Sequence, residues 1–154
     1  MQERKLYSQN VWVENQLQPA TVCLKDGTIT NIHFEQLTAA EDFGNSVIMP
    51  GVIDVHVHIN EPGRTEWEGF ETATQAAAAG GTTTIVDMPL NASPVTTTLP
   101  AFEEKLEASH GQLNVNVGFY AGLIPGNAHH LEALMQAGVV GVKCFLTHSG
   151  IDEF

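Results

Sequence analysis

Basic residues are scarce in this chain. Six lysines and arginines stand against 18 acidic residues among 154, a formal charge of −12. Such a surface repels nucleic acid and anionic membrane, so neither is expected as a partner. Cysteine is almost absent: Cys23 and Cys144 make no disulfide framework and suit a reducing compartment. No apolar run approaches the roughly 18 residues of a membrane span, and the polar start MQERKLYSQN lacks the core of a secretory signal. These absences make a cytoplasmic protein the expectation. No glycine-rich phosphate loop appears, which disfavours a nucleotide-binding sheet. Repeats and low-complexity tracts are lacking as well.

What is present begins with short β segments. Asn10–Val13, Thr21–Leu24 and Thr28–Ile32 precede residue 46, the last two flanking the turn signal Lys25-Asp26-Gly27. Residues 1–46 therefore read as part of a small β module, with Ala39–Ser46 leading out. From residue 47 strands alternate with helices. Strands are expected over Val52–His58, Thr82–Met88, Leu113–Ala121 and Val139–Leu146. Helices are expected over Glu66–Ala79, from Leu99 to about Ser109, and over Asn127–Ala137. Trp67, Phe70, Thr74, Ala77 and Ala78 form the apolar face of the first, and Leu131, Leu134 and Met135 that of the third. Alternation of this kind implies a parallel sheet with right-handed crossovers. Four β/α units are half of a (β/α)8 barrel, which needs roughly 250 residues. The expected class is thus α/β: a half barrel over 47–154, with an open four-stranded sheet as the plainer alternative, preceded by part of a β-sandwich module.

The most informative stretch is Ile53-Asp54-Val55-His56-Val57-His58-Ile59. Strand side chains alternate between faces, so Asp54, His56 and His58 share one and the four apolar residues share the other. Gly/Pro punctuation follows, placing the imidazoles at the C-terminal lip, where parallel α/β folds keep their chemistry. Two inward histidines are a costly way to fill a core and suit a cation. A second outlier is Lys143, set in the apolar run Val139–Leu146, which reads as a strand buried on both faces. A buried ammonium finds a partner, loses its proton or snorkels to water. A neutral lysine can take up carbon dioxide to become a carbamate, an anionic ligand. Beside His-x-His, that ligand reading prevails. The other lysines, Lys5, Lys25 and Lys105, lie in polar sequence surroundings.

These residues carry a resemblance. Pro50-Gly51-Val52-Ile53-Asp54-Val55-His56-Val57-His58, Glu61-Pro62-Gly63-Arg64, Trp67-Glu68-Gly69, Ala77–Thr84, Asp87–Asn91 and Gly138–Phe145 resemble the amidohydrolase superfamily. Within it they look like the cyclic-amidohydrolase branch, nearest the allantoinases. Asn60 stands where dihydroorotases typically carry Arg and hydantoinases Asp. Leu90-Asn91 stands where hydantoinases carry Asn-Thr, and His148 where they place Tyr.

The resemblance implies two divalent metal ions, most often zinc, with His56 and His58 on one and Lys143, as N6-carboxylysine, bridging both. It implies metal-activated hydroxide opening a cyclic amide, allantoin to allantoate, and a homo-oligomer, a tetramer by family analogy. The family's acid/base Asp and two further histidines fall on later barrel strands, beyond residue 154, so these residues alone are expected to bind metal weakly and turn over nothing. Asn91, Arg64 and His148 are candidate substrate contacts, and Asp54 is a candidate to orient a histidine. Asn91 as a turn residue, Asp54 at the barrel base, and Arg64 paired with Glu61, Glu66 or Glu68 are the plainer readings. Cys144 is expected to be a small core residue. A hydantoinase or dihydropyrimidinase, or a non-catalytic assembly protein of the same fold, are the alternative functions.

Overall fold

Two tight turns set up the first part of the chain. The structure, a computed structural model, describes residues 3–154. Strand β1 (Glu3–Val13) folds back on β2 (Gln16–Lys25) through Glu14-Asn15, both at positive φ (53° and 61°). β2 meets β3 (Thr28–His33) through Asp26-Gly27, again at positive φ (53° and 77°). Two successive positive-φ residues match the right-handed twist of a hairpin, and Asp-Gly adopts that shape at little strain. Two short strands, β4 (Glu41–Asp42) and β5 (Val47–Ile48), both run parallel to β1 and complete a five-stranded sheet. Val11, Ala20 and Val22 form its apolar centre, with Leu24, Ile32 and Ile48 against them. This sheet belongs to one compact unit, Met1–Pro50; a second unit is Gly51–Phe154.

The second unit is an α/β layer, the leading half of a (β/α)8 barrel. Its sheet has the order β6 (Val52–Val57), β7 (Thr82–Asp87), β8 (Asn116–Gly122), β9 (Gly141–Lys143), all parallel. The crossovers contain α1 (Phe70–Ala79), α2 (Leu99–Ser109) and α3 (Leu131–Gln136), the last entered through a 3-10 turn at Ala128–His130. One sheet face meets the helices. Ile59, Ile85, Phe119, Ala121 and Val139 interlock there with Phe70, Phe102 and Leu134. Phe119 is the hub, edge-on to Phe70 at 6.0 Å and to Phe102 at 5.8 Å. Each such buried side chain contributes about 1.5–3 kcal/mol by leaving water. The alternation along β6 puts His56 and His58 on the opposite face from Val57 and Ile59. Among the described residues no helix is long and apolar enough to cross a membrane.

Several expectations need correcting. Helix α1 starts at Phe70, not Glu66, because 64–69 form a turn in which the Trp67 N–H donates to the Arg64 carbonyl. Trp67 is consequently exposed. Its N-cap, Gly69, has no capping side chain; instead the Glu61 carboxylate accepts the Phe70 N–H at 2.9 Å, an acid at a helix start. On β6 only Val57 and Ile59 reach the core. Ile53 and Val55 are exposed because β6 is the edge strand. The run Val139–Leu146 pairs only over Gly141–Lys143, with β8 on one side and nothing on the other. Val140, Val142 and Leu146 are exposed, so it is not a strand buried on both faces, and Cys144 is exposed rather than in the core. In α3 only Leu134 is buried, and Met135 faces water.

Phe119→Ala removes the hub of the helix-facing core and should cost about 3–5 kcal/mol, whereas Trp67→Ala should stay within about 0.5 kcal/mol. Urea unfolding of the two variants against the parent measures both.

Candidate metal centre

Strand β6 ends between two histidines, His56 inside it and His58 one residue beyond. Their ring centroids are 5.3 Å apart and the rings are tilted by 45°, both on the face turned away from the helices. His56 and His58 are exposed at the strand's lip. The Asp54 carboxylate accepts the His56 backbone N–H at 3.0 Å, so it braces the strand rather than an imidazole ring. The chain then leaves the sheet under tight control. Val57 O accepts the Met88 N–H at 2.8 Å, and the Asn60 N–H donates to Glu68 O at 2.9 Å.

Lys143 closes the constellation from the other end of the sheet. It is half-buried, and its ammonium lies 4.7 Å over the Phe145 ring. The charge is close enough to bear on His58. His58 is held below the ordinary imidazole value of 6.5, first by burial, then by the neighbouring His56, with Lys143 and Lys105 adding to the effect and a hydrogen bond to the Asn91 side chain opposing it. Asn91 thus comes to the histidine lip. It is also a turn residue, at φ 80°.

Arg64 and His148 are placed differently. The Arg64 guanidinium stacks over Trp67 at 5.5 Å, so its partner is that ring and not Glu61, Glu66 or Glu68. His148 Nδ1 accepts the Gly150 N–H at 2.9 Å, within a turn of the loop that follows Lys143. His129 and His130 stack on each other at 4.0 Å at the start of the α3 segment, and His33 ends β3 in the other unit. Among the described residues no three His, Cys, Asp or Glu side chains gather as a metal site. The donor set at the β6 lip is therefore two imidazoles, with the Lys143 charge felt at His58 from β9. It fits a metal ion to that extent: paired nitrogen donors, one of them biased toward its neutral, ligating form, with an amine nearby to supply a carbamate.

One constellation escaped the reading of the sequence. Lys105 lies in polar sequence surroundings, yet its side chain is 1% exposed and its Nζ donates to Asp87 Oδ2 at 2.6 Å. It also donates to Met88 O at 3.3 Å. Asp87 Oδ1 accepts the Ile59 N–H at 2.7 Å, one residue past His58. Burial pushes the Asp87 carboxyl above the usual carboxylate range, while Lys105 pulls it back. The signal was available: Lys105 follows Ala101 and Phe102 at helical spacing, on the buried face of α2.

With this geometry established, the comparisons identify the class. The amidohydrolase family profile matches residues 47–152, and the chain belongs to that family. Its curated relatives include a mitochondrial allantoinase of Aquarana catesbeiana, 47% identical over 152 residues, covering 96% of this chain and 31% of that protein. An allantoinase of Saccharomyces cerevisiae is 54% identical over 125 residues, covering 81% of this chain and 27% of that one. Among solved structures, an L-hydantoinase (dihydropyrimidinase) from Arthrobacter aurescens superposes with a TM-score of 0.81 at 31% identity, over 98% of this chain and 35% of that one. A dihydroorotase at 19% identity and TM-score 0.61 shares the fold. The chain spans about a third of the length of the relatives it matches.

Because the native His58 value is depressed, an unfolded chain takes up this proton first. The imidazole's contribution to stability is therefore present above pH 6.5 and lost as pH falls through the native value. NMR titration of the His58 ring should give a midpoint below 6.5, and Lys143→Met should move it upward. An unmoved midpoint in that variant would place Lys143 away from the histidines.

Proposed function

We propose that this chain supplies the first metal-holding portion of a cyclic-amide hydrolase acting on allantoin. The observation that carries the reading is the His56–His58 pair at the C-terminal lip of β6, with the Lys143 charge bearing on it. The allantoinase relatives support the substrate. His56, His58 and a carboxylated Lys143 are the residues of this chain that would hold divalent metal, zinc by preference. When bound, such metal supplies hydroxide near neutral pH and a Lewis acid for the amide carbonyl. The chain's own residues do the remaining work here. The Asp54 carboxylate braces the His56 backbone N–H, and the Phe145 ring lies under the Lys143 ammonium. Asn91, at the same lip, offers an amide to a ring N–H or carbonyl. The further histidines and the acid/base carboxylate that the family reading requires are not among these 154 residues, so the chain alone hydrolyses nothing.

The structural match to an L-hydantoinase favours one second reading, a hydantoinase or dihydropyrimidinase. Relative rates on allantoin and on unsubstituted hydantoin separate the two, and allantoin should be the faster by at least about tenfold, roughly 1.4 kcal/mol of transition-state discrimination.

In the protein that combines this chain with the missing donors, His56→Ala, His58→Ala or Lys143→Ala should each lower allantoin hydrolysis by about a thousandfold or more. Zinc content should fall in parallel. Full turnover in any of the three would refute the assignment.

A further inference from the structure

The ladder between β6 and β7 is irregular over the segment that matters most. Its register pairs Asp54 with Ile85 and Val57 with Asp87, and slips between them, so His56 lies at an irregularity. Regular strand pairing therefore does not fix the histidine segment. The chain is pinned from behind instead, on the helix-facing side of the sheet. Asp87 Oδ1 takes the Ile59 N–H at 2.7 Å, its Oδ2 takes the Lys105 ammonium at 2.6 Å, and that ammonium also reaches Met88 O at 3.3 Å. Ile59, Asp87 and Lys105 are all fully buried. One carboxylate thus ties the end of β6, the end of β7 and helix α2 together, directly behind His58.

A buried ion pair is a poor device for stability alone, since apolar residues of like volume often do as well or better. An apolar pair, however, cannot accept the Ile59 N–H. We propose that Asp87 is a positioning residue for the metal pole: it fixes the backbone one residue past His58, and Lys105 neutralises the buried carboxylate that does so. The inference rests on His56 and His58 being metal ligands.

The test is a Zn2+ titration of the chain followed by NMR of the His56 and His58 ring resonances, with fold checked from amide spectra and thermal melting. If zinc leaves both rings of the parent chain unmoved, the metal reading itself fails. If the parent binds, Asp87→Leu with Lys105→Met should remain folded and bind about ten- to a hundredfold more weakly, as loss of a supporting shell does. Asp87→Asn with Lys105→Met keeps an oxygen for Ile59 and should bind like the parent. Parent-like affinity in the folded Leu/Met variant overturns the proposal, as does lost affinity in the Asn/Met variant. Should the Leu/Met pair not fold, Asp87→Glu retains the charge opposite Lys105 while displacing the accepting oxygen. Weakened binding in that variant supports the proposal, and unchanged binding overturns it.

Discussion

A single buried carboxylate holds together the end of the sheet where the chemistry gathers. Asp87 sits at the close of β7 with no water around it, and an unpaired charge there costs several kcal/mol. It is tolerated because Lys105 reaches through the core from α2 and the Ile59 amide turns inward to meet it. Those partners are themselves consequences of the fold. The Phe70–Phe119–Phe102 stack sets α1 and α2 against the sheet, and that packing carries Lys105 to its place. Around this point the two faces divide the labour: apolar packing and one ion pair on the helix side, imidazoles and Lys143 on the other.

The site face is assembled where the strands end, as in other parallel α/β folds. His56 lies on β6, His58 one residue past its end and Lys143 on β9, at the two edges of a four-stranded parallel sheet. Partial burial and the neighbouring positive charges keep His58 toward its neutral form. Neutral imidazole is the form that donates a lone pair, so a His58 held toward that form has its ring nitrogen free to ligate. Membership of the amidohydrolase family gives this arrangement its chemical context.

Much of this was legible in the chain itself, for specific reasons. The two-residue period of a strand puts His56 and His58 on one face, and β-branched runs separated by glycines mark β7 and the half barrel. Asp26-Gly27 announced its hairpin in the same way. What was missed depends on neighbours distant in sequence. Lys105 lies among Glu103, Glu104 and Glu107 and reads as solvated; only the docking of α2 on the end of β7 buries it. The opposite error fell on Val139–Leu146, whose apolar run reads as a buried strand although only three of its residues pair. Hydropathy reports how a residue is suited to its surroundings; it does not report whether a neighbour arrives to cover it.

The most direct test of the metal-pole account is X-ray absorption at the zinc edge on the zinc-loaded protein, paired with ring NMR to assign the donors. The account predicts imidazole nitrogen at about 2.0–2.1 Å from zinc, with His56 and His58 as the perturbed rings. Zinc held instead by the stacked His129–His130 pair, with the β6 histidines unperturbed, would contradict it.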